Sequence, residues 1–192
     1  MNFFAKVFIP AIGAAIFSCL PTIADSSEPA MVQLPKENSN ISCGDAIATV
    51  EADLARRGYF IPWDPPITSK IMPEVKIDKT AIQENYYDYP PERTETVIFK
   101  LSGDLNKLYQ GLMSSPKFMA TLSAQIMAEC EQVGLVEFAH WWEGYVPVGY
   151  FPDRTARTFT WVDDHESIAH QKKIETPNGQ RFLWQWGYYF SP

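Results

Sequence analysis

Apolar residues follow three different patterns along this chain. Residues 7–20 (VFIPAIGAAIFSCL) form an uncharged, mostly apolar run. From Ser42 onward the apolar positions recur at helical spacing. Ser42 with Asp45 three residues on has the form of a capping box, and Cys43, Ala46, Ile47, Val50 and Leu54 then line one face before Gly58. A helix over 43–57 is predicted. A second helix opens at Ser115-Pro116, an N-cap followed by proline at the first helical position. It carries Met119, Leu122, Ile126 and Cys130 on one stripe and stops before Gly134. A weaker helix over 104–113 shows Leu105, Leu108 and Leu112 on one side. Between the helices, 74–78 and 94–101 alternate as strands, while 78–93, with Tyr86, Tyr87, Asp88, Tyr89, Pro90 and Pro91, reads as a loop.

After Gly134 the period changes to two. Strands are expected near 135–142, 145–151, 157–162, 169–176 and 181–190, with Pro177-Asn178-Gly179 turning a hairpin between the last two. The predicted class is α+β: an antiparallel sheet ending in a C-terminal meander, with two main helices packed on one face. Residues 41–192 are expected to form one globular domain.

The first apolar run has a different meaning. Lys6 precedes it, and Thr22-Ile23-Ala24 follows with small residues where a signal peptidase cuts. At 14 residues it falls short of the about 20 that a membrane-spanning helix needs. Residues 1–24 are therefore expected to be a signal peptide, leaving no membrane span after cleavage. An uncleaved N-terminal anchor and a lipoprotein acylated at Cys19 are the alternatives. Residues 25–40 are polar and aperiodic, with two prolines, and read as a flexible lead-in. The expected location is the periplasm or the exterior, or an equivalent oxidising lumen.

Charge and cysteines narrow the class further. The net charge of −7 repels phosphate backbones, which argues against nucleic acid as a partner. Removing the signal takes Cys19 with it and leaves Cys43 and Cys130. In an oxidising compartment an even pair reads as a bridge; two separate buried thiols are the alternative. Such a bridge would close a loop of roughly ninety residues and stabilise by roughly 4–5 kcal/mol in the chain-entropy model. Ser115-Pro116, Leu122-Ser123, Ile126, Cys130, Val136 and Phe138 together resemble a stretch of small exported cyanobacterial proteins of unknown function. That resemblance implies export and a structured Cys130, and carries no activity with it.

Candidate chemistry comes last. Five of the six tryptophans, Trp141, Trp142, Trp161, Trp184 and Trp186, fall in the last third of the chain. On one long final strand, Phe182, Trp184, Trp186, Tyr188 and Phe190 would share a face. Such rings either fill a core or form a platform for a protein, peptide or carbohydrate ligand. The candidate surface is Trp141, Trp142 and Tyr189 with the loop tyrosines Tyr86, Tyr87 and Tyr89. A polar alternative, a hydrolase, would use His140 and Glu143 or the Asp163–His165 turn. A structural subunit of an assembly is a third class. Nucleophile elbows, zinc motifs, phosphate loops and Cys-x-x-Cys are missing from the sequence, so no cofactor is expected. The leading expectation is a non-catalytic binding domain.

Overall fold

A computed structural model of the chain describes residues 29–37, 40–60, 74–140, 144–163 and 166–189. The expected signal peptide lies outside these residues. In chain order, β1 is Met31–Gln33 and α1 is Cys43–Arg56. Strand β2 (Glu74–Asp78) leads through helix α2 (Ala81–Asn85) to β3 (Tyr86–Tyr87) and β4 (Glu95–Leu101). The short α3 (Leu105–Lys107) runs into a π-helical stretch, Leu108–Met113, and α4 (Pro116–Glu129) follows. Then come β5 (Val133–His140), β6 (Gly144–Phe151), β7 (Thr155–Thr158) and β8 (Thr160–Trp161). A 3-10 turn at Ser167–His170 precedes β9 (Gln171–Thr176), β10 (Gly179–Gln185) and β11 (Tyr188–Tyr189). Among the described residues no helix is long and apolar enough to cross a membrane.

Helix α1 forms where its local signals put it. The Asp45 amide donates to Ser42 Oγ at 3.1 Å, and the Ser42 amide donates back to the Asp45 carboxylate at 3.3 Å. Ala46, Ile47, Val50 and Leu54 are its buried face. Helix α4 starts differently from expectation. The Ser115 hydroxyl does not cap it but donates to Gly111 O at 2.6 Å, tying the helix start to the π-helical stretch. Cys130 ends α4 as its C-cap instead of sitting in its last turn. Its sulfur stands 2.06 Å from that of Cys43, with the two Cα atoms 4.8 Å apart, so the start of α1 and the end of α4 lie side by side.

The α+β content holds, but the sheets are mixed. Six strands form the large sheet in the order β1-β7-β6-β5-β4-β2. Its β4 and β5 run parallel, and its other neighbours run antiparallel. A parallel pair needs a crossover connection, which the stretch from α3 to α4 supplies. The C-terminal strands do not continue as one meander. Strands β9 and β10 join β3 in a three-stranded sheet, and β8 pairs with β11. The expected 157–162 strand breaks at Phe159, and the expected 181–190 strand breaks at Gly187, whose φ of +97° suits glycine. Two segments read as irregular are ordered by partners distant in sequence. Part of the lead-in is β1, pairing Val32 with Ala156, and Leu34 is buried behind it. Part of the loop 78–93 is α2 and β3, held by the fully buried Ile82 and by Tyr86 opposite Trp184.

Alternation along the large sheet separates two apolar clusters. Val97, Phe99, Val136, Phe138, Val148 and Ala156 join α1 and α4 in the larger one. Helix α4 lies against β5, β6, β7 and β1, and α1 lies against α4. Leu135, on the alternate face of β5, belongs to the second cluster with Ile82, Tyr86, Phe159 and Trp186. Gly149 permits this second cluster, because a Cβ there would lie 2.3 Å from the Phe159 ring and 2.8 Å from Trp186.

Two outcomes follow from this packing. Replacing both Cys43 and Cys130 by serine should lower unfolding free energy by roughly 2–5 kcal/mol, read from urea denaturation of the oxidised protein beside the variant. Gly149→Ala should cost roughly 1–3 kcal/mol by overpacking the rings, and should shift the emission of buried tryptophan.

Candidate functional site

The large sheet ends in a groove where the chain leaves it. Thr158 closes β7 with its side chain toward α4, in register with Val148. The backbone then turns at Phe159, whose amide donates to Pro147 O at 3.0 Å, and Thr160 and Trp161 pair with β11. This change of sheet leaves a cavity of about 440 Å³ beside the first turn of α4. Small-molecule sites are typically roughly 300–1,000 Å³. Met113, Met119 and Val146 give it an apolar wall, and Trp161, Tyr189 and Glu166 line it as well.

Trp161 and Tyr189 are Cα partners in the parallel β8–β11 ladder. Partners in neighbouring strands stand about 4.8 Å apart and project to the same side, and both residues line the groove. Trp161 is 55% exposed, while Tyr189 is half-buried against Tyr145, with ring centroids 5.6 Å apart. Tyr189 was an expected surface ring; Trp161 was not, because a single strand through 157–162 would have turned it toward the core side with Phe159.

The other predicted rings have other fates. Tyr86 is 3% exposed and lies edge-on to both Phe159 and Trp186, each at 5.4 Å, so it is a core residue and not part of a contact surface. Tyr89 packs on the same cluster, tilted against Trp186. Tyr87 is half-buried, with Lys172 Nζ 5.8 Å from its ring centroid. Trp141 and Trp142 lie outside the described residues. The supposed row of rings on a final strand is scattered: Trp186 is buried, Phe182 is 53% exposed, and Tyr188 stacks on His170 at 3.7 Å.

Behind Tyr189 is a seam between the large sheet and the two small ones. Glu137 of β5 lies there, between Ile98 and Pro147 in register. Tyr145 of β6, Tyr86 of β3 and Tyr189 of β11 complete the seam, and the hydroxyls of Tyr86 and Tyr145 share a hydrogen bond. Burial pushes the Glu137 carboxyl from an ordinary 4.5 up to about 7, and the charge of Asp78 adds to this. Burial also pushes Tyr145 up to about 12 and raises Tyr86 and Tyr189. Glu137 forms no ion pair among the described residues. The sign in the sequence was a single carboxylate inside the apolar run VGLVEFAH.

The polar candidates are not brought together. His140 lies on the α4 side of the sheet, edge-on to Tyr109 at 6.5 Å, with a buried Nδ1 that has no partner among the described residues. Asp163 accepts from the Glu166 amide at 3.1 Å and so opens the 3-10 turn. Glu143 and His165 lie outside the described residues. Among the described residues no three His, Cys, Asp or Glu side chains converge as metal ligands would. A second cavity, about 360 Å³, is lined by Arg57, Tyr59, Lys107 and Gln110. Its Arg57 is already engaged by Asp53 at 3.0 Å and by the Phe118 ring.

No family model matches this chain, and no curated protein or solved structure matches it.

The seam makes stability depend on pH. The folded state holds a proton on Glu137 that the unfolded chain releases above its ordinary 4.5. Stability contributed by that proton is complete below about pH 4.5 and lost as pH rises through about 7, a change of about 3 kcal/mol. The carboxylates of Asp78 and Asp153, held low by hydrogen bonds and nearby cations, titrate below this window. Urea midpoints should therefore fall between pH 5 and 8 in the wild type. Glu137→Gln should flatten that slope and be the more stable protein at pH 8.

Proposed function

We propose that this chain is an exported binding domain whose ligand enters the groove beside Trp161 and Tyr189. The observation carrying this reading is the exposed Trp161 ring paired with Tyr189 along an apolar cleft. Tryptophan and tyrosine offer large contact area with little conformational freedom to lose, which suits a recognition surface. The cleft is pre-formed on paired strands and a helix start, so binding would not need to order a loop.

Export, to the periplasm or the exterior, is supported by the charge, apolar-run and small-residue order of residues 1–24. The Cys43–Cys130 pair supports it too, since structural disulfides persist in oxidising compartments. The resemblance to small exported cyanobacterial proteins agrees with the same location.

The test uses N-phenyl-1-naphthylamine, an uncharged probe that brightens in apolar clefts. The exported chain should bind it, and Trp161→Ala should weaken binding about tenfold, the order of a lost aromatic contact. Because Trp161 is 55% exposed, the thermal midpoint should stay within a few degrees. Equal binding by the variant, with its fold intact, would remove the groove from consideration.

A further inference from the structure

Building on the groove reading, we propose that its ligand is a small organic cation, an alkylated ammonium held between the Trp161 ring and the Glu166 carboxylate. Met113, Met119, Val146 and Pro116 give the cleft an apolar side, and among the described residues Glu166 is the one charged residue lining it. Glu166 takes part in no ion pair among the described residues, so its charge is open to a ligand. An anion would face that carboxylate as well as the chain's net charge of −7. A sugar could meet the polar atoms of Thr158, Thr160, Glu166 and Tyr189 but would leave the charge of Glu166 without a counter-charge. Thr158 Oγ1 already accepts from the Ala30 amide at 2.9 Å.

A quaternary ammonium fits both halves of the site. Its methyl groups carry no N–H to be left unsatisfied in the cleft. Its positive charge is attracted to the face of tryptophan, the most favourable ring for such a contact. Tyr189, fixed beside Trp161 by the ladder and backed by Tyr145, offers a second ring. The carboxylate then sets the sign of the guest.

Calorimetric titration of the exported chain with choline, with its uncharged carbon analogue dimethylbutanol and with maltose tests this. Choline should bind about tenfold more tightly than the analogue, the usual order for a partly desolvated cation–π contact with a carboxylate nearby. Glu166→Gln should narrow the gap between the two affinities, and Trp161→Ala should abolish choline binding. Equal affinity for choline and analogue, or preference for maltose, would overturn the cation inference. If N-phenyl-1-naphthylamine still binds while choline does not, the cation is wrong and the groove stands. If neither binds, both readings fail together.

Discussion

The C-terminal end of α4 is tied down by one guanidinium. Arg93 donates from a single nitrogen to Met127 O at 2.9 Å, Val133 O at 3.0 Å and Cys130 O at 3.3 Å. Helix ends leave carbonyls without partners and carry partial negative charge, so a cation there satisfies both demands. The same guanidinium lies 3.8 Å from the centroid of the Tyr150 ring, which links the helix end to β6. Burial lowers the pKa of Arg93, yet a guanidinium stays charged at any ordinary pH. Around this point the chain has little freedom. A Cβ on Gly134 would lie 2.3 Å from Arg93 O, and the Glu95 amide donates to Gln132 O at 2.9 Å. The parallel start of β4 and β5 is set there, and the disulfide fixes α1 to the same place.

Local signals were legible, and long-range pairings were not. Ser42 with Asp45, Pro116 at the start of α4, and the apolar stripes of both helices act within a few residues, so the sequence displays them directly. The pairing of Cys43 with Cys130 was legible because only two cysteines remain after the first apolar run. Strand β1 was hidden because its stability comes from Ala156 and Thr158, more than a hundred residues away. The parallel register of β4 and β5 was hidden too, since alternation along a strand does not reveal the direction of its neighbour. Arg93 looked like the end of a loop because its acceptors are carbonyls, which every residue carries. The groove shared this fate. Glu166, Trp161 and Met119 line one groove only because the chain changes sheets at Phe159.

Two backbone positions decide how the rings are divided between core and surface. At Gly149 the missing side chain lets Phe159 and Trp186 come down onto β6, and the Trp186 indole donates to Tyr150 O at 3.0 Å. The ladder with β9 has already ended at Trp184, opposite Gln171, and at Gly187 the positive φ turns the chain so that Tyr188 and Tyr189 pair with β8. Without the first, the second cluster would have no floor. Without the second, Tyr189 would continue along β10, and Trp161 would lose its ladder partner.

Trp161 and Trp186 then show what the same side chain does in two settings. Trp186, 7% exposed, has its N–H satisfied and rings on several sides, so its burial is explained by stability alone. Trp161 leaves more than half of its surface in water, next to methionines that do not cover it. Single exposed apolar residues are ordinary on protein surfaces and need no function. This one differs in position: it borders a concave, partly apolar wall, has an aromatic ladder partner fixed by strand register, and lines the same groove as a carboxylate that forms no ion pair among the described residues. Folding accounts for Trp186 without remainder, whereas the setting of Trp161 is what the proposal of a binding groove rests on.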